Sequence, residues 1–236
     1  MNNLVYVTAF IDVYDDRDDR KVLLTRKEYM DYFLELSKVN ANIVCFADRS
    51  FEVPSNVNLI LCKKEELIAY AVMNRHCTHD LPRNINKDTH DYMILMNSKT
   101  EFMKRAMKII ESKHYAWIDF GIFKIFKNNG QDVLKRLSEF SNREFDGLHM
   151  PGCLPRQDLD SYLKGISWRF CGGFFVGDKK SIEVFTGLYD DFFEEIMRKY
   201  KTWLWEVNVW GILENEYRFF PNVYYADHNE SMILSL

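Results

Sequence analysis

The chain has 236 residues, 47% hydrophobic and 28% charged, a length and composition that hold one substantial core or two small ones and exclude a disordered chain. Its formal net charge of −4 excludes the strongly basic surface of a nucleic-acid binder, so no nucleic-acid partner is expected. Aromatic residues reach 15%, with 18 Phe and 13 Tyr, which serves either a large aromatic core or a site that holds rings and sugars.

The first element is "LVYVTAFI", Leu4 to Ile11, a near-continuous apolar run with β-branched and aromatic residues, as in a strand covered on both faces. It stops at the mixed-charge loop "DVYDDRDDRK". A helix follows in "TRKEYMDYFLELSKV", where Thr25 and Glu28 have capping-box spacing. "NIVCFA" is a second strand, ending on Asp48, and "NVNLILC" a third, after the turn at Pro54. "KKEELIAYAVMNR" reads as helix, and the polar stretch from Arg75 to Asp91 as a site loop or a surface excursion. "NSKTEFMKRAMKIIESK" reads as one helix with a Ser98–Glu101 capping box and an apolar stripe of Phe102, Ala106, Ile109 and Ile110. "YAWIDFGIF" is a strand with its exit loop, "GQDVLKRLSEF" a helix and "FDGLHM" a strand. "GISWRFCGGFFVGDKK" reads as a strand broken by two glycines. "SIEVFTGLYDDFFEEIMRKY" and "TWLWEVNVWGILENE" are helices, and the tail is short strand and loop. The alternation is that of an α/β domain with a largely parallel sheet, and without repeats or linkers one domain over 1–236 is expected.

The five cysteines are odd in number and form no Cys-x-x-Cys pair, so they read as reduced thiols of a cytosolic protein. The N-terminus lacks a basic leader, so no signal peptide is expected. No apolar run approaches the ~18 residues that span a bilayer, so any membrane association is expected to be peripheral.

Parallel sheets place ligands at the carboxyl ends of their strands, where Asp12, Asp48 and Asp119 each follow an apolar run. Asp119 serves either as a hard ligand for a cation or as a cap on the Phe-Gly turn after it. Gly172 and Gly173 mark a bulge or a close approach of backbone to a ligand. Glu206 and Asn208 lie inside a helix apolar nearly all round, so they are either paired internally or line a wet cavity, where a buried acid is a candidate general base. His228 is either a solvated tail residue or, if the tail folds back, a partner for Asp119 in a manganese site. Lys99, Arg75 and Arg83 are cations suited to phosphates or to the surface. "RHCTHD" has zinc-ligand residues but no second ligand pair at zinc spacing. No dinucleotide, Walker, serine-hydrolase or His-Glu-x-x-His motif occurs.

Taken in order, "LVYVTAFID", "NSKTEFMKRA", "YAWIDFG", "GGFFVG", "WEVNVW" and "YYADHNES" resemble the bacterial HtrL/YibB family, over about Leu4 to Met232. That family is similar in turn to nucleotide-sugar glycosyltransferases of the GT-A fold and is associated with surface polysaccharide clusters. The resemblance implies a Rossmann-like, mostly parallel sheet flanked by helices. It places Thr8, Phe10 and Asp12 near the base and ribose, with the strand-end acid Asp48 in the same cleft. It places Lys99 near the diphosphate, and Gly172 and Gly173 beside the donor sugar. Asp119 and His228 become ligands of Mn²⁺ or Mg²⁺, although Trp117 stands where the Asp-x-Asp motif has its first acid. Glu206, with Asn208, faces the acceptor as the catalytic pair.

The expectation is therefore a cytoplasmic, metal-dependent transferase that moves sugar from a UDP-linked donor to a saccharide hydroxyl in polysaccharide or lipopolysaccharide synthesis. The alternative is a GT-A-like nucleotide-binding or scaffold protein without turnover, which the reduced motif favours. A nucleotidyltransferase would want a Gly-rich basic phosphate loop, and "AFIDVYDDRDD" is acidic.

Overall fold

The structure is a computed structural model that describes residues 3–13, 24–84 and 86–236. Most of the "DVYDDRDDRK" loop, from residue 14 on, lies outside the described residues.

Among the described residues the strands are β1 (Leu4–Phe10), β2 (Asn42–Ala47), β3 (Val57–Leu61), β4 (His79–Asp80), β5 (His114–Ile118), β6 (Leu148–Gly152), β7 (Phe174–Asp178), β8 (Thr202–Trp203) and β9 (Asn222–Tyr225). The helices are α1 (Arg26–Leu36), α2 (Ile68–His76), α3 (His90–Asn97), α4 (Lys99–Ala106), α5 (Gly130–Phe140), α6 (Leu159–Lys164), α7 (Lys179–Tyr200), α8 (Glu206–Glu216) and α9 (Ser231–Leu234). Seven strands form one sheet in the order β3-β2-β1-β5-β7-β6-β9, and β4 pairs with β8 alone. The large sheet is mostly parallel, as expected: only the pairs β5–β7 and β6–β7 are antiparallel.

The apolar run of β1 is explained by cover on both faces. Every residue of the strand is buried. Val5, Val7 and Ala9 point into a core shared with Phe102, Trp117, Ile182 and Trp210. Leu4, Tyr6 and Phe10 point into an opposite core with Phe33, Ile118, Leu137 and Ile233. Alternation with period two divides one hydrophobic run between two layers of helices. From β1 the chain runs outward to β2 and β3, then returns to β5 on the other side of β1. The carboxyl ends of β1 and β5 thus flank a topological switch point.

The Thr25–Glu28 capping box of α1 forms as expected, with Thr25 Oγ1 accepting from the Glu28 amide and Glu28 Oε2 from the Thr25 amide. The Ser98–Glu101 box does not. Ser98 Oγ donates to the Ile94 carbonyl, and Glu101 Oε2 accepts from the Ile68 amide at the start of α2. The expected single helix is two short ones meeting at Ser98, and it ends at Ala106, leaving Ile109 exposed. Gly172 and Gly173 precede β7 rather than break it. The last long helix starts at Glu206, not Thr202, because Thr202 and Trp203 pair with His79 and Asp80. The tail adds α9.

Candidate functional site

Asp12 and Asp119 leave β1 and β5 at the switch point and meet there on the wall of a cavity of about 380 Å³. The cavity is organised by Lys99, which opens α4 and is 1% exposed. A lone buried ammonium is unfavourable, so its partners define the site. Lys99 Nζ donates to Glu206 Oε1 at 2.8 Å and to the Gly172 carbonyl at 2.7 Å, and lies 3.1 Å from Asp119 Oδ1. Burial works against its charge, but the carboxylates of Asp119 and Glu206 outweigh it and hold the lysine above its ordinary pKa. Trp117 Nε1 donates to Asp119 Oδ1 at 2.8 Å, and the Asp119 amide donates to the Gly173 carbonyl at 2.9 Å. The strand ends on an acid because a buried lysine from another helix needs a counter-charge there.

Glu206 is 4% exposed and opens α8, where the helix N-terminus favours an anion. Lys99 holds its Oε1, while Oε2 is buried without a hydrogen-bond partner. The indole N–H of Trp205, another wall residue, is likewise buried and unpartnered. An acceptor and a donor on consecutive wall residues thus lack internal partners. Gly172 makes room for this arrangement, since a Cβ there would lie 2.3 Å from Glu206 Oε1 and 3.1 Å from Val207 Cγ1. Gly172→Ala is expected to displace the carboxylate from Lys99 and to lower stability by about 1–3 kcal/mol in urea denaturation, as overpacking does.

Phe10, Asp12, Lys99, Asp119, Gly172, Gly173, Glu206 and His228 all line this cavity. Thr8, Asp48 and Asn208 do not. Thr8 is fully buried within β1, two residues before the strand end. Asp48 sits behind Arg26, whose Nη1 is 3.6 Å from Asp48 Oδ1 and 3.9 Å from Asp12 Oδ2. Asn208 is taken up by backbone: Oδ1 accepts from the Ser167 amide, and Nδ2 donates to the carbonyls of Tyr162 and Gly165. Of the alternatives for a polar residue in that helix, Asn208 takes the internal one. Asn208→Ala would strand those groups and is expected to cost about 2–4 kcal/mol by chemical denaturation, from an unsatisfied-group penalty of ~1–3 kcal/mol each.

Wall residues that the sequence reading missed are Tyr29, Lys87, Lys124, Trp168 and Trp205. Phe10 stacks on Phe120 at 4.6 Å and tilts against Tyr29 at 5.3 Å, giving one end of the cavity an aromatic wall. Burial, then the charges of Asp119 and Asp12, raise the Tyr29 hydroxyl above its ordinary pKa. Lys124 is exposed along its length, yet desolvation at its ammonium lowers its pKa. Trp168 and Trp205 stand 6.4 Å apart at another part of the wall. The only sequence signal for Lys124 was its place in the exit loop after Asp119, while Trp205 lay in a run expected to be buried.

His228 packs edge-on against Trp168 at 4.2 Å, and its Nδ1 faces Cys153 Sγ at 3.5 Å. Among the described residues no third carboxylate or imidazole joins Asp119 and His228, and Lys99 and Trp117 already hold Asp119 Oδ1. The pair does not make a cage for a resident hard cation. The "RHCTHD" residues disperse: His76 bonds Glu194, Cys77 the Thr202 carbonyl, and Asp80 His90.

A family model described as "Bacterial protein of unknown function (HtrL_YibB)" matches residues 63–224, more than half of the chain. The chain belongs to the HtrL/YibB family. No curated protein matches this family member. Among solved structures it is similar to the crystal structure of a glycosyltransferase involved in the glycosylation of the major capsid of PBCV-1. That likeness covers 95% of this chain and 81% of the other at 10% identity and a TM-score of 0.45. Within the family match lie Lys99, Asp119, Gly172, Gly173 and Glu206, whereas Asp12 and His228 fall outside it.

Proposed function

We propose that this HtrL/YibB protein is a GT-A-like glycosyltransferase, one domain over 1–236, that moves a sugar from a UDP-linked donor to a saccharide hydroxyl in surface polysaccharide synthesis. The observation that carries the reading is Glu206: a buried carboxylate of the cavity wall at the sheet's switch point, fixed through Oε1 by Lys99, whose Oε2 is buried without a hydrogen-bond partner. In transfer, the acceptor hydroxyl oxygen bonds to the anomeric carbon while the bond from that carbon to the diphosphate breaks, and the diphosphate leaves with the electron pair. In an inverting reaction Glu206 Oε2 takes the hydroxyl proton; in a retaining one it orients the acceptor. Lys87 and Lys124 on the wall offer positive charge to the leaving diphosphate, and the Phe10, Tyr29 and Phe120 wall suits a flat base.

Mn²⁺ or Mg²⁺ enters this proposal only as part of the substrate; Asp119 is the residue that would hold such an ion, which would supply positive charge to the diphosphate. Cytoplasmic location and peripheral membrane association are part of the same proposal. Among the described residues no helix is long and apolar enough to cross a membrane.

The test is calorimetric titration of UDP, GDP and CMP with and without Mn²⁺, followed by assay of sugar release from the matching nucleotide sugars. Binding of one nucleotide, with turnover lost in Glu206→Gln, is the expected result. No binding of any nucleotide would overturn the transferase reading. Binding without turnover would favour a nucleotide-binding scaffold, a reading that the neutralisation of Asp119 by Lys99 supports.

A further inference from the structure

Two cysteines far apart in sequence lie side by side beside the cavity. Cys153 follows the last residue of β6, and Cys171 immediately precedes the Gly172–Gly173 turn into β7. Their sulfurs are 3.1 Å apart. His228, three residues beyond the end of β9, brings Nδ1 to 3.5 Å from Cys153 Sγ. One ligand atom from each of the three residues lies within 4.8 Å of the others. No other group of three or more potential ligands gathers this way among the described residues.

Donor chemistry identifies the ion. Two sulfurs and an imidazole are a soft set, which selects zinc over the hard cations that prefer oxygen. Ideal tetrahedral Zn–S and Zn–N bonds place sulfur and nitrogen about 3.5 Å apart and two sulfurs about 3.7 Å apart. The Cys153–His228 distance already fits, Cys171 and His228 lie within 4.8 Å of one another, and the sulfurs need to part by roughly 0.6 Å. Asp227 offers a fourth ligand, with Oδ1 3.6 Å from His228 Nδ1 and 3.9 Å from Cys153 Sγ. We propose that Cys153, Cys171 and His228 form a zinc site, completed by Asp227 or a water.

The site ties three strand ends together: the exit of β6, the entry of β7 and the tail after β9. Since β6 pairs with both β7 and β9, the ion would staple the C-terminal tail to the edge of the sheet next to Gly172. Both thiols must lose their protons to solvent when zinc binds. Because binding releases these protons, it should weaken as pH falls. The inference does not depend on the glycosyl-transfer reading.

The test uses the full chain, stripped of metal by a chelator and kept reduced with a phosphine. Co²⁺ is titrated first, then Zn²⁺. The expected result is one ion per chain, an intense near-ultraviolet thiolate-to-cobalt band, displacement of cobalt by zinc but not by Mn²⁺, and a higher melting temperature with zinc. Cys153→Ser, at a half-buried position that does not endanger the fold, should abolish the band, and His228→Ala should alter the visible spectrum of bound cobalt. Absence of the band in the wild-type chain, or its persistence in a folded Cys153→Ser chain, would overturn the site. Cys171 is fully buried, so Cys171→Ser is read only alongside its far-ultraviolet circular dichroism.

Discussion

Lys99→Met is expected to destabilise the fold by roughly 3–5 kcal/mol, the range for removing one partner of a buried ion pair. The substitution leaves the Glu206 carboxylate buried with no counter-charge and frees the Gly172 carbonyl and Asp119. Urea denaturation should show a lower midpoint at an unchanged slope. Pairing it with Glu206→Gln should give less loss than the sum of the two, because the second change removes the stranded charge. A drop below ~1 kcal/mol for Lys99→Met alone would put this pair among those worth little, like exposed ones.

The pH dependence of this effect follows from the raised lysine. Its folded pKa stands above the unfolded value of about 10.4. The lysine's contribution is therefore full below that value and lost as pH rises through the folded one. The stability gap between wild type and Lys99→Met should be constant from neutral to mildly alkaline pH and shrink only above about pH 10.4.

Glu206→Gln is expected to lower turnover by about 10²–10⁴-fold, the usual worth of a general base, while nucleotide affinity holds. The amide keeps an oxygen for Lys99 and replaces the unpartnered Oε2 with a group that cannot take a proton. Kinetics with saturating donor, beside a nucleotide titration, separates the two effects. Turnover within a factor of about ten of wild type would remove Glu206 from proton transfer, and unfolding of the variant would make its role structural.

How much of this was legible in the sequence differs from element to element. The strand at "NIVCFA" and the α1 capping box could be read because each depends on a few neighbouring residues. The capping box at Ser98 had the same spacing and did not form, since Glu101 found the Ile68 amide on another helix. Local patterns name what a residue can do, and competing long-range partners choose among those options.

Glu206 and Asn208 show the same division inside one helix. Both were marked because polar residues in an apolar helix need partners. Only the fold showed that Asn208 spends its hydrogen bonds on the 162–167 backbone while Glu206 has one oxygen buried without a partner. The two sit two residues apart, roughly 200° around the helix, so they face different neighbours. Which of the two faces meets the cavity is set by packing.

By itself the sequence determined the α/β alternation, the two-sided burial of the central strands and the acids at the ends of β1 and β5. These follow from hydrophobic period and from where apolar runs stop. Only the tertiary structure decided that Lys99 joins Asp119 to Glu206 and that Cys153 and Cys171 meet His228. It also decided that Trp168 and Trp205 line the cavity, Trp205 while still packed in the core. Such contacts join segments about 20 to more than 100 residues apart along the chain. They are set by strand order and helix packing, which bring chain segments together without leaving a mark on the residues in between.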